Sequence, residues 1–238
     1  MVVPGFIPEA LDEGGAPRWL SELGTRDPNH LLHVVRGLDP QAAMEFVGGR
    51  VVRRLAPNEL PTQRPDEWST VMHAAVGADR MTDLLVAGQH GGWTFVYDAS
   101  GVTGDTADHQ LMAVGLSQDG RTAATSIFTI NSDESFGYAE DGEILCHILE
   151  PYDAEFYDEE TPEVLRPAIL AAIDDEESDH PYYINMRIVC ALAGLTFTPA
   201  EMRDRPLLIG ECVSSTFYDV MAKMSQLRAG LPQRIVPS

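Results

Sequence analysis

The stretch from Gly92 to Pro151 limits the fold more than any other part of the chain. It reads GWTFVYDASGVTGDTADHQLMAVGLSQDGRTAATSIFTINSDESFGYAEDGEILCHILEP. Aromatic and β-branched runs alternate with turn residues, and the pairs Asp119-Gly120 and Asp141-Gly142 punctuate them. This is the pattern of strands joined by tight turns. A turn as tight as Asp141-Gly142 joins antiparallel neighbours, because parallel ones need a crossover of about a dozen residues or more. The centre of the protein is therefore expected to be an antiparallel sheet, interrupted by one short helix over Asp105–Leu116.

The flanking sequence adds to that sheet. Strand composition recurs at Leu31–Val35, Arg50–Leu55, Asp83–Ala87, Trp93–Tyr97, Arg121–Ile130, Ser135–Ala139 and Glu143–Leu149, with Gly88–Gly92 read as a five-residue hairpin loop. Asp39-Pro40 predicts a helix start, since an Asp side chain can accept from the free N–H groups and Pro needs none at the first position. Trp68, Val71, Met72, Ala75 and Val76 share one helical face, with Asp66 as the expected cap. Beyond residue 160 the pattern becomes helical. Thr161-Pro162 precedes a helix with Pro167 inside it, Tyr182–Leu192 reads as a buried helix, Thr198–Glu201 has capping-box form, and Thr216–Leu227 has helical spacing. The expected fold class is α+β: an antiparallel sheet of about six strands, helices packed on one face, and a helical C-terminal third (161–230). The whole chain, 1–238, is read as one domain, with 1–17 as a loosely packed arm.

Composition matters through charge. The net charge is −21, and it is uneven: residues 1–132 carry 16 acids and 9 bases, residues 133–180 carry 17 acids and one base, and residues 181–238 carry 4 acids and 6 bases. A field of this sign repels nucleic acid and anionic membranes and favours cationic partners. The N-terminus lacks the basic start and apolar run of a signal peptide, and no window approaches the roughly 18 apolar residues of a membrane span. A cytoplasmic protein is expected. The three cysteines, Cys146, Cys190 and Cys212, are widely spaced and read as reduced core residues.

Motifs of known chemistry are not met. The glycines of 88–104 form neither a phosphate-binding loop nor a dinucleotide fingerprint. Gly115-Leu116-Ser117-Gln118-Asp119 places Asp119 where a nucleophile elbow requires glycine. His30 and His33 lie three apart on a strand, which turns them to opposite faces, and the remaining histidines have no partner at metal-ligand spacing. No metal, cofactor or catalytic triad is expected.

The acid-rich run is the one feature with a binding chemistry. Asp153, Glu155, Asp158, Glu159 and Glu160 surround Phe156 and Tyr157, so that carboxylates can steer an encounter while the rings supply anchoring area. The spacing does not fit a calcium loop. A solvated loop ahead of the Thr161 cap accounts for the same residues.

Several segments together resemble an uncharacterised actinobacterial domain-of-unknown-function family. They are LLHVVRGLDP at 31–40, GWTFVYD at 92–98 with Gly101 and Gly104, Leu116-Ser117, FGYA at 136–139 with Asp141-Gly142, LTFTP at 195–199 and RPLL at 205–208. The resemblance spans roughly residues 30–210, with a departure at Ala99-Ser100-Gly101 after Asp98. It implies a fold and no reaction.

The functional expectation is a non-enzymatic acidic protein-binding module, of the immunity or regulatory kind, that covers a basic surface on a partner through residues 153–160. The alternative is a small hydrolase or ligand-binding protein with a pocket near Trp93, Asp98 and Tyr138. Nucleic acid enters only through mimicry of duplex phosphates by carboxylates. Oligomeric state is left open.

Overall fold

A computed structural model describes residues 5–25, 29–104, 109–129, 134–149, 161–173 and 183–212. The helices are α1 (Arg18–Leu23), α2 (Pro40–Phe46), α3 (Val71–Val76), α4 (His109–Ser117), α5 (Arg166–Ile173), α6 (Ile184–Ala193) and α7 (Pro199–Arg203). The strands are β1 (His30–Arg36), β2 (Gly49–Leu55), β3 (Leu84–His90), β4 (Trp93–Asp98), β5 (Thr122–Phe128), β6 (Glu134–Glu140), β7 (Glu143–Leu149) and β8 (Leu207–Cys212).

The strands form one antiparallel sheet in the order β2-β8-β3-β4-β1-β5-β6-β7. Eight strands replace the six or so expected. The addition that changes the topology is β8, which the helical reading of the C-terminal third had hidden and which lies between β2 and β3. The expected helix at Thr216–Leu227 lies outside the described residues.

Helices cover both faces, not one. Along β4, Trp93, Phe95 and Tyr97 join a core with Trp19 of α1, Val71 and Met72 of α3, and Ile188 and Val189 of α6. The alternate residue Val96 packs instead with Ala43 and Met44 of α2 and with Leu111 and Met112 of α4. Period-two alternation therefore feeds two cores. All six residues of β4 and six of the seven in β1 are buried. An unbroken apolar run such as LLHVV is the sequence signature of a strand covered on both sides.

Local chemistry sets the element ends. Asp39 Oδ1 accepts from the N–H groups of Gln41 and Ala42 at 2.9 and 3.0 Å, as its position before Pro40 predicts. The Thr198–Glu201 capping box is formed. Helix α3 starts at Val71 under a Thr70–His73 box, and Asp66 instead accepts from the N–H of Trp68, which is exposed. Helix α5 starts at Arg166, so that Pro167 falls in the first turn, where its missing N–H costs nothing. The β3–β4 hairpin closes through two residues, Gly91 and Gly92, both at positive φ (56° and 84°), and not through five. Gly88 belongs to the strand: a Cβ there would lie 2.7 Å from the Phe95 ring.

The described part of the N-terminal arm, residues 5–17, holds buried residues where its Pro- and Gly-rich composition suggested loose packing. Ala10 and Ala16 are buried, and Asp12 accepts from the N–H groups of Gly14 and Ala16 and from the Ser21 hydroxyl. Trp19 anchors the larger core. Its ring lies 5.5 Å from Phe95 and 5.4 Å from Phe197, and its Nε1–H donates to the Leu195 carbonyl at 3.1 Å.

Candidate functional site

The residues singled out for binding, Asp153, Glu155, Phe156, Tyr157, Asp158, Glu159 and Glu160, lie outside the described residues, as do the carboxylates Asp174, Asp175, Glu176, Glu177 and Asp179. The structure shows the elements between which the chain carries them. The chain leaves β7, an outer strand, at Leu149 and returns at Thr161 ahead of α5; after α5 it returns again at Tyr183 to begin α6. Helices α5 and α6 pack on each other and on the larger core. Arg166, the one base within residues 133–180, is already engaged with Glu163 at 3.1 Å.

The alternative trio is not brought together. Trp93 and Asp98 stand at opposite ends of β4, five residues or about 17 Å apart. Their side chains also point to opposite faces. Tyr138 shares a face with Trp93 but sits on β6, with β1 and β5 between. Each is committed locally: the Arg36 guanidinium lies over the Trp93 ring at 4.7 Å, and the Tyr138 hydroxyl donates to Glu140.

Asp98 closes a loop from within. It is fully buried; Oδ1 accepts from the N–H groups of Ser100 (2.8 Å) and Gly101 (3.0 Å), and Oδ2 from the N–H (2.8 Å) and hydroxyl (2.9 Å) of Thr103. Burial raises its pKa, and these four donors oppose the rise. The Thr103 oxygen also meets His33 Nε2 at 3.2 Å, while His33 Nδ1 meets the Thr125 hydroxyl at 3.0 Å. Because the Thr103 proton goes to Asp98, Nε2 must carry a proton to complete the chain. In a hydrolytic triad the imidazole stands between carboxylate and hydroxyl and takes the hydroxyl's proton. Here the hydroxyl stands in the middle and gives its proton to the carboxylate. The arrangement fastens residues 98–103; it does not activate a nucleophile.

On the other face, at the same end of the sheet, Glu134 was not anticipated from the sequence. Period-two alternation with Phe136 and Tyr138 points it inward, and that signal was readable. It is 5% exposed, accepts from the N–H groups of Tyr183 (2.7 Å) and Asn185 at the start of α6, and its Oε2 has no hydrogen-bond partner among the described residues. Burial pushes its pKa up to about 7 against those two donors and the nearby Arg187. Tyr183 is held in the left-handed region (φ 69°), its ring 4.0 Å from Phe128 and 5.8 Å from His30. His30 shares a 2.7 Å hydrogen bond with the Tyr97 hydroxyl, and burial lowers its pKa to about 4, so it is neutral.

Burial raises the Cys190 thiol far above its ordinary range and pushes Cys212 up to about 11, so neither is a ready thiolate. Among the described residues no group of three or more His, Cys, Asp or Glu is placed to hold a metal ion, and no helix is long and apolar enough to cross a membrane.

An eight-stranded antiparallel sheet with helices on both faces and its buried carboxylates committed to internal contacts defines an α+β domain. The chain belongs to DUF6461, a family of unknown function, whose model matches residues 18–193, from the start of α1 to the end of α6. No curated protein and no solved structure matches it.

Proposed function

We propose that the protein is an acidic protein-binding module, of the immunity or regulatory kind, which covers a basic surface on a cytoplasmic partner through residues 153–160. The supporting observation is the segregation of charge. Seventeen acids and one base fall within residues 133–180, and that base, Arg166, is paired with Glu163. Screening at physiological salt acts over about 8 Å, so carboxylates clustered in sequence reinforce one another where scattered ones do not. Phe156 and Tyr157, between the acids, supply the desolvated contact area that carries affinity, while the charges govern the rate and specificity of encounter. The surrounding structure fits this role: the stretch is tethered between an outer strand and a packed helix pair, and the inward-facing Asp98 and Glu134 are engaged in holding local backbone.

The test is a pull-down from source-organism lysate at low and high salt. The bait is the wild-type chain or a variant carrying Asp153→Asn, Glu155→Gln, Asp158→Asn, Glu159→Gln and Glu160→Gln. A basic protein retained by the wild type at low salt, and lost both at high salt and with the variant, is the expected result. Equal capture by both baits refutes the proposal.

A further inference from the structure

A cleft of about 380 Å³ lies between the first turn of α2, the end of β2, the middle of β3 and the start of β8. Its floor follows from the strand register. Arg54 pairs with Leu208, and Leu208 with Ala87, so the three stand side by side on the α2 face. Leu208, 9% exposed, and the exposed Pro206 give the cleft its apolar lining, above the buried Ala87.

The two polar walls carry opposite charge. Arg54 donates from Nη2 to Gln41 Oε1, and Gln41 Nε2 in turn donates to Glu45 at 2.8 Å, which orients the guanidinium at the mouth. Among the described residues no carboxylate lies within salt-bridge reach of Arg54. A positioned guanidinium with N–H groups to spare is the side chain best suited to a planar carboxylate. Asp39, whose Oδ1 caps α2, also lines the cleft and offers its second oxygen as an anionic acceptor. The volume is near the lower bound of about 300 Å³ for small-molecule pockets, which suits one residue-sized group and not a dinucleotide or haem.

We propose that this cleft binds an apolar α-amino acid bearing a free carboxylate. The carboxylate lies on Arg54, the side chain on Leu208 and Pro206, and the N–H of the α-nitrogen points to Asp39. A free amino acid and the C-terminal residue of a peptide share this chemistry. The site uses none of residues 153–160.

Isothermal titration calorimetry of the full chain with leucine, N-acetyl-leucine and leucinamide tests it. Leucinamide, which lacks the carboxylate, is expected to bind at least ten-fold more weakly than the better of the other two. Binding of N-acetyl-leucine identifies the peptide C terminus as the source, and binding of leucine alone identifies the free amino acid. Arg54→Gln is expected to weaken binding ten-fold or more. Arg50→Gln, on the same strand but outside the cleft and paired with Glu211, is expected to change it less than two-fold. No binding of either carboxylate at millimolar concentration, equal binding of leucinamide, or full affinity in a folded Arg54→Gln variant overturns the proposal. The leucinamide comparison is made on the wild-type chain, so the test stands even if a variant fails to fold.

Discussion

Two carboxylates are buried at one end of the sheet, Asp98 on the α4 face and Glu134 on the α6 face, and their surroundings treat them oppositely. Asp98 receives four hydrogen bonds shared between both oxygens, three of them from backbone within five residues. Glu134 uses one oxygen on the start of α6, and the other has no partner among the described residues. Burial disfavours the charged form of both, but only in Asp98 do donors surround each oxygen. The difference separates a carboxylate that fixes a loop from one whose charge state is coupled to the docking of a helix.

The comparison is broken most directly at Asp98. Replacing it with Ala leaves three backbone N–H groups, that of Thr103 buried, and the Thr103 hydroxyl without their acceptor, and a loss of about 2–3 kcal/mol in urea denaturation is expected. A loss below about 1 kcal/mol would show that the loop holds without it.

At Glu134 the expected signature is in pH. Its folded pKa, about 7, is above its ordinary value of 4.5. Between these pH values the folded state binds more protons than the unfolded one, so stability falls as pH rises. The fall should amount to roughly 2 kcal/mol, allowing for partial solvent access. Denaturation midpoints at pH 4.5, 5.5 and 7 should decline less in Glu134→Gln than in the wild type, and parallel declines would remove Glu134 from the account.

A smaller effect tests whether the Asp98 loop depends on its backbone shape. Gly101 has φ +72°, and a Cβ there would lie 2.9 Å from Asn29 Cβ. Gly101→Ala should cost about 1–2 kcal/mol in the same assay. The smallest change is expected at residues 153–160, where neutralising all five carboxylates should shift stability by no more than about 0.5 kcal/mol while abolishing partner capture. A large loss of stability there would place those acids with Asp98 as fold determinants.

Much of the frame was legible because its signals are local. Asp39-Pro40, Thr198–Glu201 and the Asp-Gly turns each report a hydrogen bond or a left-handed position that the residue types themselves favour. What failed depended on distant neighbours. Gly88 read as loop because nothing in its own segment shows that the Phe95 ring must pass over it. LLIGEC at 207–212 read as part of a helical region because its strand character comes from pairing with β2 and β3. Of the site residues, Asp98 is visible in type and place, but the face it points to is set by the register of β1 and β4. Glu134 was missed although its alternation with Phe136 and Tyr138 gave it away. The cleft at Arg54 was not legible, since its floor is assembled from strands far apart in the chain.

That assembly has a kinetic consequence. Among the described residues β2 pairs only with β8, and their partners are separated by about 150 to 160 residues. Closing so long a loop is entropically costly before any contact offsets it, and folding slows as such contacts accumulate. During synthesis β2 emerges early and stays without its neighbour until the 207–212 segment leaves the ribosome. Until then β3 exposes the edge that β8 will occupy. Completion of the sheet, and with it the Arg54 cleft, is therefore a late event in the life of each newly made chain.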